Sequence, residues 1–381
     1  MAILTVNAGS SSLKLAIFAD GAAPVFAGMV AEIGGQSVLV TPAGKRALAL
    51  ADHRAALRAL LAAAEAAGYP LGAFDAAAHR VVHGGADLTA PCRITDAVEA
   101  QIAATIPLAP LHNPANLSAI RALKMLAPDL RQYASFDTAF HATNPEVAVR
   151  YAVPESVAAL GIRRYGFHGI SFAALVRKMK ETGGGKVPDR LLALHLGNGC
   201  SLCAIRGGQS VATTMGYSPL EGLTMGTRAG GIDGNAVLRL ADLHGTGGAA
   251  RILNRESGLL ALGGTNDMRA LQAAGTPQAR FAIAHFVYWA IRHAGSMIAA
   301  MGGLDAIAFT GGIGENDAQV RAAILEGLRW AGAVADPAAN RDGALCLHKN
   351  GSPVAIWIVP AEEERQIALD ALSIIQAEDM R

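Results

Sequence analysis

The chain has 381 residues, and its 32 Lys and Arg residues nearly balance its 31 Asp and Glu residues, for a formal net charge of +1. Such a small charge provides no global field that would recruit nucleic acid or an anionic membrane, so an anionic partner must be bound at a local site. The length suggests two domains, with three as an alternative, and 43 glycines with only 5% aromatic residues suggest many tight turns rather than a fibre.

Membrane-spanning and disulfide-rich classes also fit this sequence poorly. The uncharged stretch 100–120 contains three prolines, and the opening residues MAILTVNAGS lack the basic region of a signal peptide. Four cysteines do not make a disulfide framework, and Cys200 and Cys203 lie in a strand-like segment where they would face opposite sides and could not share a metal. We therefore expect a cytoplasmic protein.

The first half begins with short strands and continues with alternating helices and strands. Short apolar runs separated by turns predict strands in ILTV, LKLAIF, PVFAGMV and SVLVT, followed by an alanine-rich helix over 52–67 that ends near Gly68. A buried strand in AAAHRVVHGG, helices over 96–105 and 116–126, and a strand in YASFDTAFH come next. From Pro154 to the KVPDR turn, helices are expected to dominate.

The second half begins with the same pattern as the first. Leu192–Leu196, a Gly-Asn-Gly turn and Cys200–Ile205 repeat the opening strand, turn and strand, with Gly9 matching Gly197. Long helices follow, of which 278–301 is the longest, then the strand AIAFT, a glycine turn, a helix from Asp317, the strand AIWIVP and a terminal helix. An internal duplication with two α/β domains and a cleft between them is the fold that this order predicts.

Three turns rich in small residues are candidate phosphate sites. They are 7–12 (NAGSSS), 197–199 (GNG) and 311–316 (GGIGEN), and each follows a strand. Backbone N–H groups in such turns can approach phosphate oxygens, and Lys14 beyond the first turn could add a charge. Each could instead be an ordinary tight turn. No P-loop motif is present, and no dinucleotide fingerprint stands in the right setting.

The segment 214–233 (TMGYSPLEGLTMGTRAGGID) has neither helical nor strand periodicity. An ordered loop of this length is more often functional than structural. Arg228 at its centre is a candidate anion clamp, although a surface salt bridge would also explain an arginine there.

Eight motifs, in the same order, resemble those of the acetate kinase family. They are VNAGSSSLK, HRVVHGG, FDTAFH, RYGFHG, HLGNG, MGYSPLEGLTMGTR, NDMR and TGGIGEN, and they span Val6 to Asn316. The resemblance implies a duplicated actin-like fold with an interdomain nucleotide cleft, shared with sugar kinases and Hsp70. It also implies reversible, Mg²⁺-dependent (alternatively Mn²⁺-dependent) phosphoryl transfer from ATP to acetate, giving acetyl phosphate and ADP, in a homodimer. The implied domains are 1–145 with 365–381, and 146–364.

The resemblance also assigns roles to residues. Asp137, His168 and Arg228 would be catalytic, with Arg80 and Arg228 bracketing the carboxylate and the phosphoryl group; Asn7 and Glu363 would hold Mg²⁺. The residues implied in ATP binding are Lys14, His195, Leu196, Gly197, Asn198, Gly199, Asp267, Met268, Arg269, Gly312, Ile313, Gly314, Glu315 and Asn316. Those implied around the methyl group of acetate, which could also be ordinary core, are Val82, Leu111, Phe167 and Pro219.

Chemistry supports most of these roles independently. Phosphoryl transfer spreads negative charge over three oxygens, which two arginines and an imidazole can stabilise. A carboxylate acceptor is already ionised at pH 7 and needs no general base, so we expect Asp137 to position Arg80 or Mg²⁺-bound water. His112 and His168 could alternatively be satisfied core histidines.

The sequence departs from the family pattern at three places. Gly234 follows Asp233 where the family usually has proline, Phe172 replaces a histidine, and Ala361-Glu-Glu-Glu364 replaces Thr-Asn-Glu-Glu. The choice of Glu363 as metal ligand is therefore open by one residue. Alternative functions are propionate or butyrate kinase, since one methylene gives only about 1–3 kcal/mol of discrimination, and a non-kinase actin-like or Hsp70-like ATPase.

Overall fold

The computed structural model describes residues 1–19 and 23–380. Packing divides the chain into two compact units. Unit 1 comprises Met1–Phe140, Gly169–Ala174 and Glu362–Arg381, and unit 2 comprises His141–His168 and Leu175–Ala361. The functional domain boundaries given above stay a prediction. Across 1–19 and 23–380, no helix has the length and apolar character that crossing a membrane requires.

The strands and helices alternate along the chain. The strands are β1 (Ile3–Ala8), β2 (Leu13–Phe18), β3 (Pro24–Ala31), β4 (Ser37–Thr41), β5 (Gly44–Leu48), β6 (Ala76–Val81), β7 (Cys92–Arg93), β8 (Arg131–Phe136), β9 (Arg190–Leu196), β10 (Cys200–Arg206), β11 (Gln209–Thr213), β12 (Ala306–Thr310) and β13 (Ala355–Ile358). The helices are α1 (His53–Ala66), α2 (Asp96–Ala104), α3 (Asn113–Leu126), α4 (Glu146–Val149), α5 (Glu155–Ala158), α6 (Gly169–Thr182), α7 (Gly234–Arg255), α8 (Gly258–Gly263), α9 (Met268–Ala274), α10 (Pro277–Met301), α11 (Gly311–Asn316), α12 (Ala318–Gly327), α13 (Pro337–Arg341) and α14 (Glu363–Asp379).

Each unit contains one mixed sheet, and the two sheets share a topology. The order in unit 1 is β5-β4-β3-β2-β1-β6-β8-β7, and that in unit 2 is β11-β10-β9-β12-β13. In both, three antiparallel strands (β3-β2-β1 and β11-β10-β9) continue into two parallel ones (β6-β8 and β12-β13). The predicted duplication is confirmed at the level of strand order, and unit 1 adds strands at both edges.

The central strands of the sheet in unit 1 are buried on both faces. Leu4 and Val6 of β1 pack with α1 and α3, whereas Ile3 of the same strand packs against Ile367 and Ile375 of α14. Because both faces are covered, the buried residues of β1 and β6 are continuous along the strand rather than alternating. This packing fixes the ends of β1, β6 and β8, where the polar residues of interest lie.

Several predicted elements need correction. The predicted turn GGIGEN is wrong: these residues form α11, in which the Glu315 side chain accepts from the Gly311 N–H at 2.9 Å. The pattern also missed β5, an edge strand whose residues are largely exposed, and it placed the start of α3 three residues late. Between Pro154 and the KVPDR turn the regular elements are the helices α5 and α6, as predicted. The segment 214–233 is irregular, as predicted.

Candidate active site

The carboxyl ends of three parallel strands bring the first group of predicted residues together in unit 1. Asn7 lies near the end of β1, Arg80 near the end of β6, and Asp137 directly after β8. Val6 pairs with His79, and Val81 pairs with Phe136, so the three strands end at similar heights. Ligand-binding residues in sheets of this type gather at this edge.

Arg80 and Asp137 form a bidentate ion pair. Arg80 Nη2 donates to Asp137 Oδ2 at 2.6 Å, and Arg80 Nε donates to Oδ1 at 3.0 Å. Burial raises the pKa of the Asp137 carboxyl, which is only 2% exposed, and the charge and hydrogen bonds of Arg80 oppose that rise. Burial also acts to lower the pKa of Arg80, but Asp137, Glu363 and Glu364 raise it overall. The fork of Arg80 is therefore held in one orientation by a carboxylate that water barely reaches.

The first turn of α14 adds two carboxylates to this cluster. Glu363 Oε2 lies 3.7 Å from Arg80 Nη1, and Glu364 Oε1 lies 3.7 Å from Lys14 Nζ. The Asn7 side chain connects the groups, because its Nδ2 donates to Glu364 at 3.4 Å and its Oδ1 accepts from Arg80 at 3.3 Å. The side chains of Arg80, Lys14 and Asn7 thus lie next to the two carboxylates at the edge of the sheet.

The first glutamate of the run, Glu362, pairs with a residue of α14 itself. Glu362 accepts from Arg365 Nη1 at 2.8 Å, an interaction within the start of α14. The choice of metal ligand among the three glutamates stays a prediction. Their oxygens and that of Asn7 are the hard donors that Mg²⁺ prefers. No group of three or more His, Cys, Asp and Glu side chains is arranged for a metal within 1–19 and 23–380.

The second group of predicted residues lies in unit 2 and is centred on His168. His168 has φ 58° and ψ 20°, a left-handed conformation that is rare outside glycine. Its Nδ1 is 2.9 Å from Ser201 Oγ, and its ring stacks on that of His195 with centroids 4.1 Å apart. Phe167 before it is 1% exposed, and its carbonyl accepts from His141 Nε2 at 2.9 Å. These contacts hold the imidazole in a strained, defined position.

Gly199 lies between His168 and Arg228. A Cβ at Gly199 would be 3.2 Å from His168 Nε2 and 3.6 Å from Arg228 Nη1, so both groups border the space that the missing side chain leaves. Arg228 Nη1 donates to the Pro219 carbonyl at 2.9 Å. The loop 214–233 therefore brings its arginine next to the predicted imidazole.

A cavity of about 750 Å³ in unit 2 collects many residues of the predicted nucleotide site. Its predicted members are Gly197, Asn198, Asp267, Met268, Arg269, Gly312, Ile313 and Asn316. Arg269 Nη2 donates to Asp267 Oδ2 at 2.7 Å, and hydrogen bonds from Arg269 lower the pKa of Asp267 to about 2. The volume is in the range of small-molecule sites.

The residues that line this cavity differ in part from the predicted nucleotide-binding residues. His195, Leu196, Gly199, Gly314 and Glu315 are not lining residues of the cavity, and Lys14 belongs to unit 1. Sequence reasoning missed Asn266, Gln272, Asp317, Ala318 and Gln319, which do line it. Gln272 Nε2 donates to Asp317 Oδ2 at 2.8 Å across 45 residues of sequence. No local pattern could have paired these two.

The four residues predicted around the methyl group divide between the units. Val82 and Leu111 belong to unit 1, and Phe167 and Pro219 belong to unit 2. Val82 is 7% exposed and its N–H donates to Asn116 Oδ1 at 3.1 Å, whereas Leu111 is 39% exposed. Their shared role stays a prediction.

Comparison with known proteins decides the family. The sequence model of the acetokinase family matches residues 2–369. The chain belongs to the acetokinase family. Relatives within this family match nearly the whole chain: the acetate kinase of Stutzerimonas stutzeri is 44% identical over an alignment of 394 positions that covers 98% of this chain and 99% of that one.

Solved structures of the acetokinase family have the same fold. A crystal structure of Porphyromonas gingivalis acetate kinase matches with TM-score 0.90 and 34% identity, covering 98% of this chain and 99% of that one. A propionate kinase from Francisella tularensis matches with TM-score 0.92 and 34% identity, covering 97% and 98%. The predicted duplicated actin-like fold is confirmed.

Proposed function

We propose that this chain transfers a phosphoryl group reversibly between ATP and acetate, giving acetyl phosphate and ADP. The observation that carries the proposal is the buried Arg80–Asp137 pair beside Asn7 and Glu363, at the sheet edge of a chain 40–44% identical to acetate kinases over nearly its full length. A guanidinium held this rigidly suits a carboxylate or a phosphoryl group.

The proposed mechanism assigns a separate task to each group. Acetate is ionised at neutral pH, so its oxygen attacks the γ-phosphorus directly and no base is needed. Arg80 orients the acetate, and Asp137 orients Arg80 rather than moving a proton. Arg228 and His168 Nε2, which border the space beside Gly199, stabilise the charge that develops on the transferring oxygens.

Mg²⁺ is part of this proposal as the ion that neutralises the nucleotide phosphates. Asn7 with Glu363 or Glu364 would hold it, and the small number of protein ligands is normal for Mg²⁺, which keeps waters and binds substrate phosphates. Mn²⁺ suits the same oxygen ligands. The cavity that contains Asn198 and Asp267 would receive the rest of the nucleotide.

We also propose a cytoplasmic homodimer. Two groups of exposed apolar side chains in unit 2 support an interface between subunits: Phe281 and Tyr288 of α10, and Leu238 and Leu243 of α7. All four cysteines are free, as is usual for proteins of a reducing compartment.

The decisive experiment measures ADP release from Mg-ATP with and without acetate. The proposal requires release that depends on acetate, together with acetyl phosphate trapped as its hydroxamate. Release at the same rate without acetate would instead indicate an actin-like or Hsp70-like ATPase. The likeness to a propionate kinase favours one second candidate. A kcat/KM higher for propionate or butyrate than for acetate would replace acetate as the substrate.

A further inference from the structure

The helix α10 presents an aromatic face in which one histidine has two side-chain partners. Phe281 is 59% exposed and Tyr288 is 60% exposed, and the ring of His285 lies 6.1 Å from that of Phe281 and from that of Trp289. Residues four apart on a helix are neighbours, which brings Trp289 onto His285. None of the motifs discussed above includes His285 or Trp289.

The hydrogen bonds of His285 define its tautomer. Trp289 Nε1 lies 3.1 Å from His285 Nε2, and an indole N–H can only donate, so Nε2 must offer a lone pair. The proton of the neutral ring is therefore on Nδ1, which lies 2.9 Å from Thr224 Oγ1 and donates to it. Burial lowers the pKa of His285, which favours the same neutral ring.

Thr224 belongs to the loop that carries Arg228. It is 2% exposed, and Met225 after it contacts Arg228 twice: the Met225 N–H donates to the Arg228 carbonyl at 3.3 Å, and Met225 Sδ is 3.7 Å from Arg228 Nη1. The Met225 carbonyl in turn accepts from the N–H of Leu259 at 2.9 Å. His285 thus holds one end of a short segment whose other end is Arg228.

We propose that His285 is a positioning residue for phosphoryl transfer, which fixes the loop of Arg228 by donating to Thr224 while Trp289 keeps its ring in the required tautomer. The proposal rests on the proposed function, because it assumes that Arg228 acts on the transferring group. A small displacement of a charged group can cost as much as 100-fold in rate. Loss of the His285–Thr224 hydrogen bond would therefore lower turnover rather than nucleotide binding, which involves other residues.

Two substitutions at His285 separate the two hydrogen bonds. His285→Asn places an amide N–H near the position of Nδ1 and keeps the donor to Thr224, whereas His285→Gln extends its amide towards the position of Nε2 and loses that donor. Thr224→Val removes the acceptor with little change of volume. Ser296→Ala, which removes an exposed hydroxyl that bonds only within α10 to the His293 carbonyl, is the matched control.

The experiment measures kcat and the KM for ATP in the full-length chain. We expect His285→Gln and Thr224→Val to lower kcat by about 10- to 100-fold with a KM for ATP within about twofold of the original, His285→Asn to keep most of the turnover, and Ser296→Ala to match the unsubstituted chain. Equal losses in the Asn and Gln variants, or normal kcat in Thr224→Val, would overturn the proposal.

A second measurement tests the tautomer of His285 without using catalysis. The ¹⁵N resonances of the His285 ring in the unsubstituted chain should show a protonated Nδ1 and an unprotonated Nε2 at pH 7.5. The opposite tautomer, or a charged ring, would refute the proposed hydrogen bonds of His285 even if turnover depends on acetate. Absence of acetate-dependent turnover with the expected tautomer would instead refute the proposed function and, with it, the role of His285 in positioning Arg228.

Discussion

Removing Arg80 should reveal how strongly the site depends on its counter-charge. In Arg80→Met, the Asp137 carboxylate stays almost wholly buried but loses the guanidinium that donates to both of its oxygens. Removing one partner of a buried ion pair costs about 3–5 kcal/mol. Since a fifth of the Arg80 side chain reaches solvent, we expect a loss near 3 kcal/mol in the free energy of unfolding.

The same reasoning predicts a partial rescue. Asp137→Asn on top of Arg80→Met removes the uncompensated charge, so the double variant should be about 2 kcal/mol more stable than Arg80→Met alone. For a unit of this size, 1 kcal/mol corresponds to about 2–4 °C in Tm. Thermal unfolding followed by circular dichroism should therefore show Arg80→Met melting about 6–12 °C below the unsubstituted chain, with the double variant between the two.

The pH dependence provides an independent check. Burial raises the pKa of Asp137, and loss of Arg80 removes the charge that opposes the rise. A carboxyl whose pKa is higher in the folded than in the unfolded chain destabilises the folded state at pH values above its folded pKa. This penalty fades as the pH falls towards the pKa of the unfolded chain, about 3.9. The Tm deficit of Arg80→Met should thus shrink between pH 7.5 and pH 5. With Asp137→Asn measured alone as well, stability losses of the two single variants that add up in the double variant would refute the reasoning, as would a Tm deficit of Arg80→Met that grows on acidification.

Three further predictions concern turnover and selectivity. Arg228→Ala should lower kcat by ~10²–10³-fold with little change in nucleotide affinity, and Arg228→Lys should recover little; steady-state kinetics with near-normal turnover would remove Arg228 from the reaction. Val82→Ala should raise kcat/KM for propionate relative to acetate, within the factor of roughly 10–200 that one methylene allows, whereas an unchanged ratio would exclude Val82 from the acid site. In Gly226→Ala the new Cβ would meet Asn198 Oδ1 at 2.0 Å, so the KM for ATP should rise roughly tenfold. Gly234→Ala, which has open space around it, is the control. Equal KM values for ATP in the two variants would contradict the assignment of Asn198 to the nucleotide site.

The elements that sequence predicted best are those whose signals are local. The apolar run of β1, the extent of α1 and the length of α10 are all properties of consecutive residues, and the structure has them where expected. The failure at GGIGEN has a non-local cause. Arg321, 1% exposed, donates to the carbonyls of Gly314 at 3.0 Å and Glu315 at 2.8 Å, and so stabilises the end of a glycine-rich helix that propensity disfavours.

The candidate site shows the same division. The resemblance to the family motifs made Arg80 and Asp137 candidates, and the irregular loop 214–233 made Arg228 one. These features of the sequence could not show that Asp137 forms a bidentate pair with Arg80, or that Glu362 turns towards Arg365, because side-chain direction depends on packing from distant segments. Gln272 and Asp317 were missed for this reason, as was His285, whose partner Thr224 is 61 positions away.

The position of α14 has a consequence for how the chain is made. Its residues Ile367, Ala371 and Ile375 fill one face of a sheet whose strands β1, β6 and β8 are synthesised long before it. During translation that face stays uncovered until the helix has emerged from the ribosome, whereas unit 2 already has its last strand by then. Domains generally fold as units while they are synthesised, so the earlier-begun unit finishes last. Glu363 and Glu364 arrive with the same helix, so Arg80, already paired with Asp137, gains these two further acidic neighbours only at that final step.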